Sequence, residues 1–165
     1  MKTAFSTLLV SMFLFLTACG GGSSSSDGGG APPPEATVPQ DISGGYSGTW
    51  EGSGRDVSGV YTCEGTFDLE ITQSGSTITV SFSVTSSAGS GNARCTEPFS
   101  FSGGGTYNST NGTLAILSVI GEITVALSGS ASELGGKITL GGTWSTTETN
   151  SAAVIASGTW AAESQ

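Results

Sequence analysis

Apolar and polar side chains take turns along much of this chain. Phe67, Leu69 and Ile71 alternate with Asp68, Glu70 and Thr72. Ile78, Val80, Phe82 and Val84 alternate with Thr79, Ser81 and Ser83, and Ile123, Val125 and Leu127 with Thr124, Ala126 and Ser128. A period of two belongs to a strand with one face buried, and no helical period is sustained after residue 40. Gln73-Ser74-Gly75-Ser76, between the first two runs, is a hairpin turn signal. The pattern predicts eight strands, at about 45–52, 60–73, 76–86, 94–103, 105–109 continuing weakly to about 119, 121–129, 135–146 and 153–162. Leu114-Ala115-Ile116-Leu117-Ser118-Val119-Ile120 is apolar on both parities, which suits a fully buried strand or a short helix.

A local phrase recurs. Gly-Thr-Trp stands at Gly48-Thr49-Trp50, Gly142-Thr143-Trp144 and Gly158-Thr159-Trp160, with related forms at Gly65-Thr66-Phe67 and Gly105-Thr106-Tyr107. Glycine lets a strand bend tightly, and the aromatic two positions on lies on the same face. The Trp copies fall in the first strand and the last two. If the meander closes, those strands become neighbours and Trp50, Trp144 and Trp160 gather into one aromatic cluster, the candidate ligand-binding group. Closure also removes exposed strand edges. The expected fold is therefore all-β, an eight-stranded antiparallel up-and-down barrel over residues 41–165. Over about 41–163 the Gly-Thr-Trp opening, the meander and the late Gly-Thr-Trp resemble the avidin-like and lipocalin-like small β-barrels. The chain departs from them in having no downstream Thr-Asp-Tyr partner for a lipocalin Gly-x-Trp and no Trp in its middle strands. No binding residue is carried over.

The N-terminus reads as an address. Lys2 precedes an apolar run over residues 4–16, too short to span a bilayer as a helix but the size of a secretory core. Leu16-Thr17-Ala18-Cys19 then resembles the bacterial lipobox. The resemblance implies a signal peptide at 1–18, cleavage before Cys19 and lipid on that cysteine, two or three acyl chains giving a stable anchor where one is marginal. Gly20 after the cysteine favours, by the same family analogy, the outer membrane. Residues 19–40 form a Gly/Ser/Pro-rich linker with almost no apolar side chains, expected to stay disordered. Twenty such residues span roughly 25 Å, and Pro32-Pro33-Pro34 stiffens the far end.

Composition removes several kinds of chemistry. Histidine is absent, so the commonest general base and transition-metal ligand is missing. Once Lys2 leaves with the signal, Arg55, Arg94 and Lys137 face thirteen Asp and Glu. Phosphate binding needs a basic face, so no nucleic-acid partner is expected. With Cys19 lipidated, Cys63 and Cys95 form an even pair in an exported protein, and a disulfide is the natural reading. It closes a loop of about 33 residues, stabilising by about 3–4 kcal/mol. In a meander the second and fourth strands lie about 9.5 Å apart, beyond disulfide reach. At least one cysteine therefore belongs in a connection, and residues 86–96 around Cys95 are the place for it.

Asp68 and Glu70 share a strand face but alternate with apolar residues, so they read as a solvated outer face. Asp56, Glu64 and Glu97 near Arg55 and Arg94 read as surface ion pairing at one barrel mouth. Asn108-Ser109-Thr110 and Asn111-Gly112-Thr113 match the glycosylation sequon but read as turns. No catalytic residue, metal site or cofactor is expected. The expectation is a lipid-anchored envelope protein whose barrel is a non-enzymatic interaction module. The alternative is a barrel holding a small apolar ligand or a glycan, which needs an interior cavity of roughly 300 Å³ or more.

Overall fold

The computed structural model describes residues 33–56, 59–90, 99–150 and 154–165. These form β1 (Gly44–Asp56), β2 (Gly59–Ser74), β3 (Thr77–Ser90), β4 (Ser100–Asn108), β5 (Thr113–Ile120), β6 (Ile123–Leu134), β7 (Lys137–Glu148) and β8 (Val154–Ser164). Each strand is antiparallel to the next, and β8 returns to pair with β1, closing the barrel. Trp50 stands directly opposite Trp160 across that seam. Two register shifts, at Thr66/Phe67 and Thr146/Thr147, bend the sheet where it must curl.

The fourth and fifth strands differ from the expectation. The break expected near residue 104 is absent, because β4 runs straight through Gly103-Gly104-Gly105. Gly103 and Gly105 answer to close packing rather than to a turn. A Cβ on Gly105 would sit 1.9 Å from the Ala115 carbonyl oxygen, and one on Gly103 2.6 Å from that of Leu117. The reversal lies at the two Asn motifs instead, as their turn reading requires. Asn108 Oδ1 accepts from Thr110 N at 2.9 Å, Gly112 N donates to the Asn108 carbonyl at 2.8 Å, and Gly112 takes φ +74°. Residues 94–98, expected to open the fourth strand, lie outside the described residues. Nor is β5 helical or buried on both faces. Leu114, Ile116 and Ser118 point inward, while Leu117 and Val119 are 55% and 61% exposed, since a barrel offers one interior.

Inward positions carry the bulk. Phe67 stacks on Phe82 at 4.5 Å and Phe82 on Phe101 at 4.7 Å, a ladder of phenyl rings across β2, β3 and β4. Leu69, Ile71, Ile78, Val80, Leu114, Ile116, Leu127 and Leu140 fill the barrel around them. The outward positions of β1 and β2 are Ser47, Thr49, Glu51, Ser53, Thr62, Glu64, Thr66, Asp68, Glu70 and Thr72, all exposed. This is the reverse of a membrane-spanning barrel, which turns its apolar side out.

One end of the barrel is sealed by the incoming chain. Thr37 pairs with Glu133 through two backbone hydrogen bonds, Tyr107 Oη donates to the Pro39 carbonyl at 2.6 Å, and Tyr46 Oη donates to that of Ile42 at 2.8 Å. Ile42 N donates to Gln73 Oε1, whose amide nitrogen donates to the Gln40 carbonyl. Pro39 and Ile42 are fully buried. Residues 37–40, expected to belong to the linker, are thus built into the barrel, because Pro39 brings apolar surface to the opening. Burial pushes the Tyr46 phenol up to about 12, with the Asp41 carboxylate and Tyr107 adding to the effect; burial likewise raises Tyr107.

Two measurements check this packing. Gly105→Ala should destabilise by about 2–4 kcal/mol in urea unfolding, because backbone cannot yield to the new methyl. Gly104→Ala, whose Cβ meets nothing nearer than 3.7 Å, should be close to neutral. For Tyr46, the folded state keeps a proton that the unfolded phenol releases near pH 10. Its contribution is complete below pH 10 and is lost as pH rises toward about 12. Tyr46→Phe should therefore shallow the loss of stability across pH 10–12, while costing about 1 kcal/mol at pH 7 through the lost hydrogen bond.

Candidate functional site

The other end of the barrel, where β1 meets β2 and β3 meets β4, is finished in aromatic rings. The three Gly-Thr-Trp phrases place Thr49, Thr143 and Thr159 outside and the indoles inside. Trp144 lies against glycine. A Cβ on Gly52 would meet its ring at 2.3 Å, and one on Gly158 would meet its Nε1 at 2.7 Å. That closeness brings Trp144 Nε1 to the Glu51 carbonyl, to which it donates at 3.0 Å. Trp160 Nε1 donates to the Thr143 carbonyl at 3.2 Å. Trp50 sits edge-on to Trp144 at 5.9 Å and to Phe99 at 6.4 Å.

Between these rings lies a recess of about 80 Å³. The three indoles and the rings of Phe82, Phe99 and Phe101 wall it, together with Val125, Leu127 and Thr146. The expected gathering of Trp50, Trp144 and Trp160 is present. Trp50 also carries an anomaly: its Nε1–H is shut off from solvent and has no hydrogen-bond partner among the described residues. A buried donor left unpaired costs about 1–3 kcal/mol, and such groups in native proteins call for an explanation.

Larger hollows of about 860 and 660 Å³ lie on the outer face of β8, β1 and β2, edged by Thr49, Glu51, Glu64 and Thr159. They are shallow furrows between exposed side chains, with no convergent chemistry. Asp68, Glu70, Glu64 and Arg55 are exposed on that outer face, where the alternation placed them. Cys63 is buried in β2 on the inward parity. Cys19, Arg94, Cys95 and Glu97 lie outside the described residues, as does the side chain of Asp56. Among the described residues no three Asp, Glu or Cys side chains come together as metal ligands.

Sequence reasoning missed the phenyl half of the recess. Phe99-Ser100-Phe101-Ser102 alternates cleanly and could have flagged it. That Phe101 pairs directly with Phe82 is a matter of register, which alternation alone does not give. The role of residues 37–40 in sealing the far end carried no signal, being a property of three turns remote in sequence.

The hydrogen-bond inventory of the indoles predicts unequal costs. Trp144→Phe and Trp160→Phe each remove a satisfied hydrogen bond. Each should lower unfolding free energy by about 1 kcal/mol more than Trp50→Phe, which removes an unsatisfied donor; urea titration of the three variants decides it.

No protein-family model, curated protein or solved structure matches this chain.

Proposed function

We propose that this chain is a lipoprotein of the bacterial envelope, acylated on Cys19 and held at the outer membrane, whose barrel is a non-enzymatic interaction module. The observation that favours an interaction module over a ligand carrier is the filled interior. The recess left inside is about 80 Å³, well short of the roughly 300 Å³ at which pockets for whole small ligands begin. The described chain enters at the sealed end, through Thr37 and Pro39, and the aromatic mouth lies at the opposite end of the barrel. The acidic balance of the mature chain, thirteen Asp and Glu against Arg55, Arg94 and Lys137, keeps the module soluble and off anionic lipid.

A disulfide between Cys63 and Cys95 belongs to this reading, since an exported domain meets an oxidising compartment. Cys63 is not a free thiol, and Cys95 stands in the sequence between β3 and β4.

Acyl labelling tests the anchor. Cells grown with a clickable palmitate analogue should label the protein, and the mature N-terminus should be a modified Cys19. Cys19→Ala should lose the label and retain residues 1–18. An unlabelled wild-type protein cut at another position refutes the lipoprotein assignment.

A further inference from the structure

We propose that the outer face of β5 docks on a zwitterionic phospholipid leaflet. Leu117, Val119 and Ile120 enter its interfacial layer and the barrel lies on its side there. The proposal deepens the envelope reading and rests on the anchor at Cys19, which holds the leaflet within reach.

Three observations converge on a lipid surface. The first is the side-chain pattern. Val60 and Leu134 are exposed singly near the ends of β2 and β6, but β5 turns Leu117 and Val119 outward together, and Ile120 at its end is 41% exposed. Ala115 and Ala126, the latter directly opposite Leu117, extend this strip. Ser102 and Thr106 on β4 and Thr124 and Ser128 on β6 line its two sides with hydroxyls, which can hydrogen-bond lipid headgroups while the strip between them meets acyl chains. The second is charge. β3, β4 and β5 contain no charged residue, and β6 contains only Glu133, at the sealed end. Glu51, Glu64, Asp68, Glu70 and Glu163 are exposed on β1, β2 and β8, the opposite wall. The uncharged wall can therefore meet a leaflet without desolvating a carboxylate, while the acidic wall stays in water. Glu122, exposed in the turn after β5, keeps the insertion shallow. The third is the point of attachment. Thr37 joins the barrel at Glu133 of β6, the strand beside β5. Cys19 is fourteen residues from Pro33, the first described residue, a span of at most about 50 Å. With lipid on Cys19, contact by the strip becomes an intramolecular event, so side chains too few to hold a membrane alone suffice as a second signal. A second copy of the chain is a poorer occupant. A standard interface buries roughly 800 Å² per partner, and three partly exposed side chains fall well short of that.

The test uses the lipidated chain, purified from cell membranes and reconstituted on phosphatidylcholine vesicles at low chain density. A nitrobenzoxadiazole label is attached through Ala115→Cys, on the strip, or through Thr49→Cys, on the acidic wall; both positions are exposed. Phosphatidylcholine with a doxyl group high on its acyl chain should quench the label at position 115 at least threefold more than the label at position 49. Leu117→Ser combined with Val119→Ser should bring the two to equality. Both side chains lie outside the core, so the double variant should keep the circular dichroism of the parent barrel. Replacing part of the lipid by phosphatidylglycerol should not strengthen the contrast; an increase would mean that charge and not the strip does the docking, and would overturn the proposal. Equal quenching of the two labels on chains that float with the vesicles refutes the docking alone. Failure of the chains to float refutes the anchor, and the docking with it. Protection of the label at position 115 from aqueous iodide that appears only at high chain density assigns the strip to a second copy and also overturns the proposal.

Discussion

The pairing of β8 with β1 is the constraint on which the rest of this molecule depends. Until that seam closes, the meander is an open ribbon with two bare edges and an apolar face that has nothing to meet. Closed, with Trp50 set against Trp160, the inward faces of all eight described strands look at one another, and side chains far apart in sequence become one core. The curl needed for closure is tight. Glycines at Gly52, Gly105 and Gly158 let backbone and rings pass where any Cβ would collide, and the two bulges absorb the remaining bend. The glycine-aromatic phrases are therefore the means of closure: small residues where the wall is drawn in, large ones where the interior must be filled.

The two ends of the barrel are chemically unlike. At the sealed end the chain crosses over the opening before entering β1, and two phenols fasten it by donating to the carbonyls of Pro39 and Ile42. A phenol is neutral through the physiological range and burial raises both of these further, so this closure is indifferent to pH there. At the other end no such strap is seen among the described residues. Trp50, Trp144, Phe99 and Phe101 are left to form a recess that packing does not fill. Trp50 Nε1–H, buried and without a partner among the described residues, lies at this end.

Much of this was legible along the chain, and for one reason. A barrel has a single interior, so burial obeys parity, and parity is visible in a one-dimensional string. The alternations at Phe67–Leu69–Ile71 and Ile78–Val80–Phe82–Val84 reported their faces correctly, and the Gly-Thr-Trp repeats pointed to first and last strands meeting. The same logic identified Asp68 and Glu70 as outward. The Leu114-to-Ile120 run defeated it, because apolar residues on both parities say nothing about which side is in. Gly103-Gly104-Gly105 misled it, because a glycine needed for backbone contact and a glycine needed for a turn look alike until the neighbouring strand is known.

What local pattern and composition settled was the class of the fold, the number of strands and the faces they bury, since each is a matter of period, turn chemistry and the absence of helical spacing. The curl brought together what lies far apart in the chain: Phe82 beside Phe101, Pro39 beneath Tyr107 sixty-eight positions away, and Trp50 in a pocket whose other walls come from several strands. Those contacts are set by how far the barrel closes and how its strands are staggered. Stagger is a global quantity, fixed by the sum of all the pairings, and no single segment of the chain contains it.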